Sequence, residues 1–187
     1  MHTIYERVCG WNSLRYQRKH NMELSVKLLR EEHHEWLTAK TDVAKLDALC
    51  DIIFVAMGVL WKIDVEPQCI DDANNNAQRV LASLLNSNEL QPAFLIATHL
   101  DVFEYDIEYP IVDSMAMMIN AAMLQIIGMG LTYDLAQEAL LIVCDSNDSK
   151  TIARVSETEK YSKFGKGDNY VSPVLKLQEL LKKRVEL

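Results

Sequence analysis

Between Leu46 and Trp61 the chain is apolar at almost every position, and its only acids there are Asp47 and Asp51. A helix that is apolar nearly all round belongs in a core. Asp47 and Asp51 stand one helical turn apart, and Gly58 falls along the same strip. A fold built from this sequence must therefore bury a helix that carries two carboxylates on one edge.

The rest of the chain reads as more helices. Only six glycines and four prolines occur in 187 residues, too few for a fold of many strands and tight turns. Periodicity predicts helices over 21–40, 43–62, 66–87, 92–105, 111–129, 132–145 and 173–185. Pro67, Pro92, Pro110 and Pro173 each stand near a helix start, where proline is tolerated. Residues 146–172 are polar, include Gly165 and Gly167, and read as a loop-like tail before the final helix. The fold class is all-α, a helical bundle read as one domain over 1–187. An internal duplication of a four-helix unit is one reading, with halves at 21–87 and 92–150 and a tail over 151–187. At an offset of 66 residues Leu46-Asp47-Ala48-Leu49 faces Val112-Asp113-Ser114-Met115, and Glu35 faces Asp101. Met117 then stands opposite Asp51, so the second half has lost most of its acids.

On a wheel of roughly 100° per residue, Leu24, Leu28, Leu29 and Trp36 form one face of the helix over 21–40. Glu32 falls near the middle of that face, Glu35 within it and Glu31 at its edge. Isolated ionised carboxylates in a core are costly unless paired or coordinated, and several together repel one another. Basic residues are missing from these inner faces, and Mg²⁺ takes carboxylate oxygens while keeping waters that a phosphate can replace. The set Glu32, Glu35, Asp47 and Asp51 therefore reads as a Mg²⁺ site. The competing reading is that both helices are partly exposed and the acids point to water. A di-iron pattern, Glu31-xx-His34, lacks a second copy, since Ile96 precedes His99 at that spacing.

The net charge of −8 argues against a nucleic-acid polymer as partner. Cys9, Cys50, Cys69 and Cys144 are scattered and read as reduced thiols. The first residues do not read as a signal peptide, and the apolar run Ile52–Trp61 is too short to span a bilayer. These features give the expectation of a cytoplasmic protein with no membrane partner. The methionines at 115, 117, 118, 123 and 129 read as core.

Four segments carry a family resemblance. Leu29-Arg30-Glu31-Glu32-His33-His34-Glu35-Trp36-Leu37 looks like the EExxE signature of the all-α nucleoside-triphosphate pyrophosphohydrolases, the MazG-like superfamily. That superfamily includes the dimeric dUTPases and the phosphoribosyl-ATP pyrophosphohydrolases. Residues 46–58 with Lys62-Ile63-Asp64-Val65 resemble the second acidic helix and its terminal turn. Ser146-Asn147-Asp148-Ser149-Lys150 resembles the SNxSK segment, and Lys166-Gly167-Asp168-Asn169-Tyr170-Val171-Ser172-Pro173 the KGxxYxxP tail. The resemblance spans 29–64 and 145–175. One departure stands out: MazG itself usually carries ExxD in the second helix, and here Ala48 holds the first acid's place, with Asp47 one position earlier.

The resemblance implies Mg²⁺, or Mn²⁺ in its stead, held by Glu32, Glu35, Asp47 and Asp51. It implies substrate contacts from Asn147, Lys150, Lys166 and Tyr170, and a homodimer acting on nucleoside triphosphates. The expected reaction is (d)NTP plus water to (d)NMP plus pyrophosphate, with Glu35 as base and Lys150 stabilising the leaving group. Trp11, Asn12 and Trp36 are candidates to contact the base. Two other functions are compatible with the sequence: a nucleotide-binding or regulatory protein with a decayed site, and a purely structural helical protein.

Overall fold

In a computed structural model, residues 2–16, 18–87, 92–105, 110–150, 152–154 and 163–184 are described, without the side chains of 85–87, 152–154 and 163–165. Eight helices run in order among these residues: α1 (His2–Arg15), α2 (Met22–Thr38), α3 (Asp42–Lys62), α4 (Pro67–Ser87), α5 (Pro92–Tyr105), α6 (Ile111–Gly128), α7 (Tyr133–Asp148) and α8 (Val174–Leu181). The all-α class is correct.

Local chemistry sets the helix starts. The side chains of Asn21, Thr41 and Thr132 accept hydrogen bonds from the backbone N–H groups of Leu24, Ala44 and Leu135, at 3.0, 3.2 and 3.3 Å. Each cap satisfies a donor that the first turn leaves without a partner. Pro67 and Pro92 occupy the first helical position of α4 and α5, where the missing N–H costs nothing. At the end of α3, Asp64 takes a left-handed backbone (φ 56°). Its carboxylate pairs with Arg18 at 2.6 Å, which ties the α3–α4 turn to the segment after α1.

The α2–α3 and α5–α6 hairpins pack against each other through α3 and α6, with further contact between α2 and α5. α1 lies on α3 as α4 lies on α6, and α7 and α8 close over α3. The pairing pattern thus repeats over 2–62 and 67–128. The core runs through the middle: Leu46, Leu49, Ile52, Ile53 and Leu60 from α3 meet Met115, Met118 and Ile126 from α6, all at most 1% exposed. Met117 and Met123 are also buried there. By length and composition α6 could cross a membrane, a longer apolar stretch than Ile52–Trp61. Here it packs against α3, α4 and α5 as the second core helix.

Three expectations need correction. Residues 2–15, for which no element was expected, form α1. The segment over 146–172 is not all loop: α7 continues to Asp148, so Ser146 and Asn147 sit on its last turn. Beyond it, β1 (Ile152–Arg154) and β2 (Lys163–Gly165) pair antiparallel, Ala153 opposite Phe164. The remainder of that tail, at 151 and 155–162, lies outside the described residues, as do 185–187. α8 ends at Leu181 rather than at 185.

Candidate functional site

The short turn after Thr38 makes α2 and α3 an antiparallel hairpin. Glu32 on α2 and Asp51 on α3 line the same cavity of about 190 Å³. Its other walls come from α1 (Trp11, Asn12), Tyr16 and the end of α7 (Asn147, Lys150). Two helices contribute the acids, and the ends of two others close over them.

The acids feel one another's charge. Burial, with the neighbouring charges of Asp51 and Glu35, pushes Glu32 up to about 8. Burial and the charge of Asp51 push Asp47 up to about 7. Burial also raises Asp51, while Lys150 and a hydrogen bond from Asn147 act against that rise. Asn147 Nδ2 donates to Asp51 Oδ1 at 3.4 Å. Lys166 adds positive potential at both aspartates. The two lysines therefore offset the acids only in part, and the carboxyls remain above their ordinary range.

Each expected site residue can now be placed. Glu32, Asp47 and Asp51 are half-buried. Glu35 is exposed, contrary to its position within the apolar face of the wheel. It does not line the cavity, yet it is close enough to raise Glu32 and Asp47. Asn147 is buried and Lys150 half-buried at the cavity edge. Lys166 lies with its Nζ 4.8 Å from the Tyr170 ring centre. The Tyr170 hydroxyl accepts from Ser146 Oγ at 3.4 Å, and Val171 N–H donates to Ser149 Oγ at 2.9 Å. These contacts fold the 166–171 tail back onto the end of α7. Trp36 is core, packed near His33 and away from the cavity lining.

The donor chemistry, hard carboxylate oxygens with raised pKa, suits a hard divalent cation. The arrangement is open, however: among the described residues no group of three or more His, Cys, Asp or Glu side chains is drawn together closely enough to hold one ion.

Trp11 and Asn12, candidates from the sequence, do line the cavity, but their partners and several other contributors were missed. Trp11 Nε1 donates to the Asn147 carbonyl at 2.8 Å, and Arg15 donates to the Asp148 carbonyl at 3.1 Å. Arg7 pairs with Asp145 at 2.8 Å and with Asp148. α1 thereby holds the end of α7 against the cavity. Ser25 and Lys62 also line it. Spacing could have found both: Ser25 lies seven residues before Glu32, and Lys62 lies four after Gly58 on the Asp51 strip.

Fold and site together describe an all-α bundle whose central hairpin carries partly buried, mutually repelling carboxylates beside lysines and aromatic walls. No protein-family model, curated protein or solved structure matches this chain.

Proposed function

We propose that the chain is a divalent-cation-dependent nucleoside triphosphate pyrophosphohydrolase, converting (d)NTP and water to (d)NMP and pyrophosphate. One observation carries this reading: on two neighbouring helices Glu32, Asp47 and Asp51 are raised by burial and by nearby acids, and Lys150 and Lys166 offset this only in part. Such an arrangement costs stability unless a cation offsets it. The resemblance of residues 29–37, 46–58, 146–150 and 166–173 to the MazG-like superfamily points the same way.

Glu32, Asp47 and Asp51 would hold the cation, with the exposed Glu35 close by. When bound, Mg²⁺ or Mn²⁺ supplies charge neutralisation of the triphosphate and a lowered pKa for water. The chain's own groups do the rest. Asn147 orients the Asp51 carboxylate. The exposed Glu35 carboxylate would accept a proton from an attacking water. Lys150 and Lys166 stabilise negative charge on the departing pyrophosphate, and Tyr170 supports Lys166.

The test is pyrophosphate release across all eight common (d)NTPs with Mg²⁺ or Mn²⁺. Turnover that Glu32→Ala abolishes, with helix content unchanged by circular dichroism, supports the reading; no release from any triphosphate overturns it. The open arrangement of the acids favours a second reading, a nucleotide-binding protein without turnover. That reading expects triphosphates to raise the melting temperature although no pyrophosphate appears.

A further inference from the structure

The cavity has two chemically different ends. Along the antiparallel hairpin Glu32 lies level with Asp51, whereas Ser25, near the start of α2, lies toward Gly58 and Lys62 at the end of α3. All five residues line the cavity.

The second end holds polar groups that the protein itself does not satisfy. Lys62 lies partly buried with its Nζ 5.1 Å from the Tyr16 ring centre, and it has no carboxylate partner among the described residues. Burial lowers its pKa. Ser25 is 1% exposed, and its Oγ has no hydrogen-bond partner among the described residues. Asn12, 3% exposed, donates from Nδ2 to the Val8 carbonyl at 2.8 Å. Its amide lies across Gly58, where an added Cβ would come within 3.3 Å of Nδ2. The absent side chain at 58 is thus what lets Asn12 reach the cavity. The walls are aromatic: Trp11 meets Phe54 edge-on at 5.3 Å and Tyr16 at 5.7 Å.

A partly buried ammonium without a carboxylate partner among the described residues calls for an acceptor, and the buried Ser25 hydroxyl can donate to one beside it. Flat aromatic walls suit a planar ring. An ammonium group only donates, so it favours a ring carbonyl and disfavours an amino group at the same position. We infer that the Ser25–Lys62 end is a nucleobase subsite selecting 6-oxopurines and 4-oxopyrimidines over adenine and cytosine. The inference rests on the nucleotide reading above, in which the acids and Lys150 take the phosphates.

The experiment is calorimetric titration of non-hydrolysable α,β-methylene triphosphates of guanosine, uridine, adenosine and cytidine, with Mg²⁺. The titrated proteins are the unaltered chain, Lys62→Met and Ser25→Ala. The guanosine and uridine analogues should bind about tenfold tighter or more than the other two. Lys62→Met should weaken those two alone and erase most of the difference; Ser25→Ala should narrow it a few-fold. Equal affinity for all four in the unaltered chain overturns the inference. So does a Lys62→Met variant that weakens all four alike, which would place Lys62 on phosphate. Pyrophosphate release from the natural triphosphates is read in parallel. Turnover without base preference sinks the subsite alone, preference without turnover sinks the hydrolase reading alone, and no binding of any analogue sinks both.

Discussion

The α2–α3 and α5–α6 hairpins meet across α3 and α6, yet their acids live in opposite circumstances. In the second hairpin Asp101 and Glu104 of α5 are both met by Arg30 of α2, Asp101 at 2.5 Å. The position 66 residues beyond Asp51 is Met117, 6% exposed in the apolar core. In the first hairpin Glu32, Asp47 and Asp51 are raised by burial and nearby acids, and among the described residues no arginine pairs with them. A bundle that can balance acids with arginine, or replace them with methionine, has done neither where α2 meets α3. The difference teaches that the first hairpin keeps an electrostatic cost which folding alone does not require.

The largest effect should come from copying the second hairpin into the first. Asp51→Met should cut pyrophosphate release about a hundredfold or more. It should also raise unfolding free energy by about 1–2 kcal/mol, measured by urea titration without Mg²⁺. A destabilised Asp51→Met would break the comparison, because it would make Asp51 structural. The reverse exchange, Met117→Asp, sets a lone carboxylate among apolar side chains and should cost about 3 kcal/mol or more in the same titration.

A smaller effect sharpens the electrostatics. Glu32 and Asp47 titrate in the folded state at about 8 and 7, above the ordinary carboxylate range of an unfolded chain. Over that interval the folded state holds more protons than the unfolded state, so stability falls as pH rises through it. His20 and His33 are shifted down by burial, so their influence lies on the acid side and opposes this trend there. Between pH 6.5 and 8.5, without Mg²⁺, the melting temperature should drop by about 5 °C more in the unaltered chain than in Asp51→Met. Saturating Mg²⁺ should remove most of that drop, since an ion bound only by the folded state stabilises it. A parallel pH dependence in both proteins would show that the acids do not burden the fold. The smallest effect belongs to the clip between the hairpins. Arg30→Ala should cost about 0.5–1 kcal/mol by thermal unfolding, because Arg30 and its partners remain partly solvated, and should leave turnover within about twofold.

The helices and the acidic pair were legible because periodicity is a local signal. Asp47 and Asp51 stood out against an apolar run, and Glu32 against Leu28 and Leu29. α1 escaped because its short apolar ladder, Ile4, Val8 and Trp11, is interrupted by Tyr5, Cys9 and Gly10 and shows no clean polar face. The placement of Glu35 failed for a different reason. A wheel shows which side a residue is on but not how far the neighbouring helix extends, and α3 leaves that edge of α2 open. Lys62 escaped because a lysine at a helix end ordinarily reaches water. Its place four residues after Gly58 puts it on the Asp51 strip, but only the arrival of Tyr16 and α1 over the end of α3 makes it partly buried.

The bond from Trp11 to the Asn147 carbonyl joins residues 136 positions apart. During synthesis the wall bearing Trp11 and Asn12 emerges before the acidic hairpin, and the segment that brings Lys150 well after both. Until that segment is made the carboxylates are therefore without the amine that partly balances them. A free cation in the surrounding medium would be their earliest counter-charge, so ionic conditions should govern how cleanly the final closure occurs.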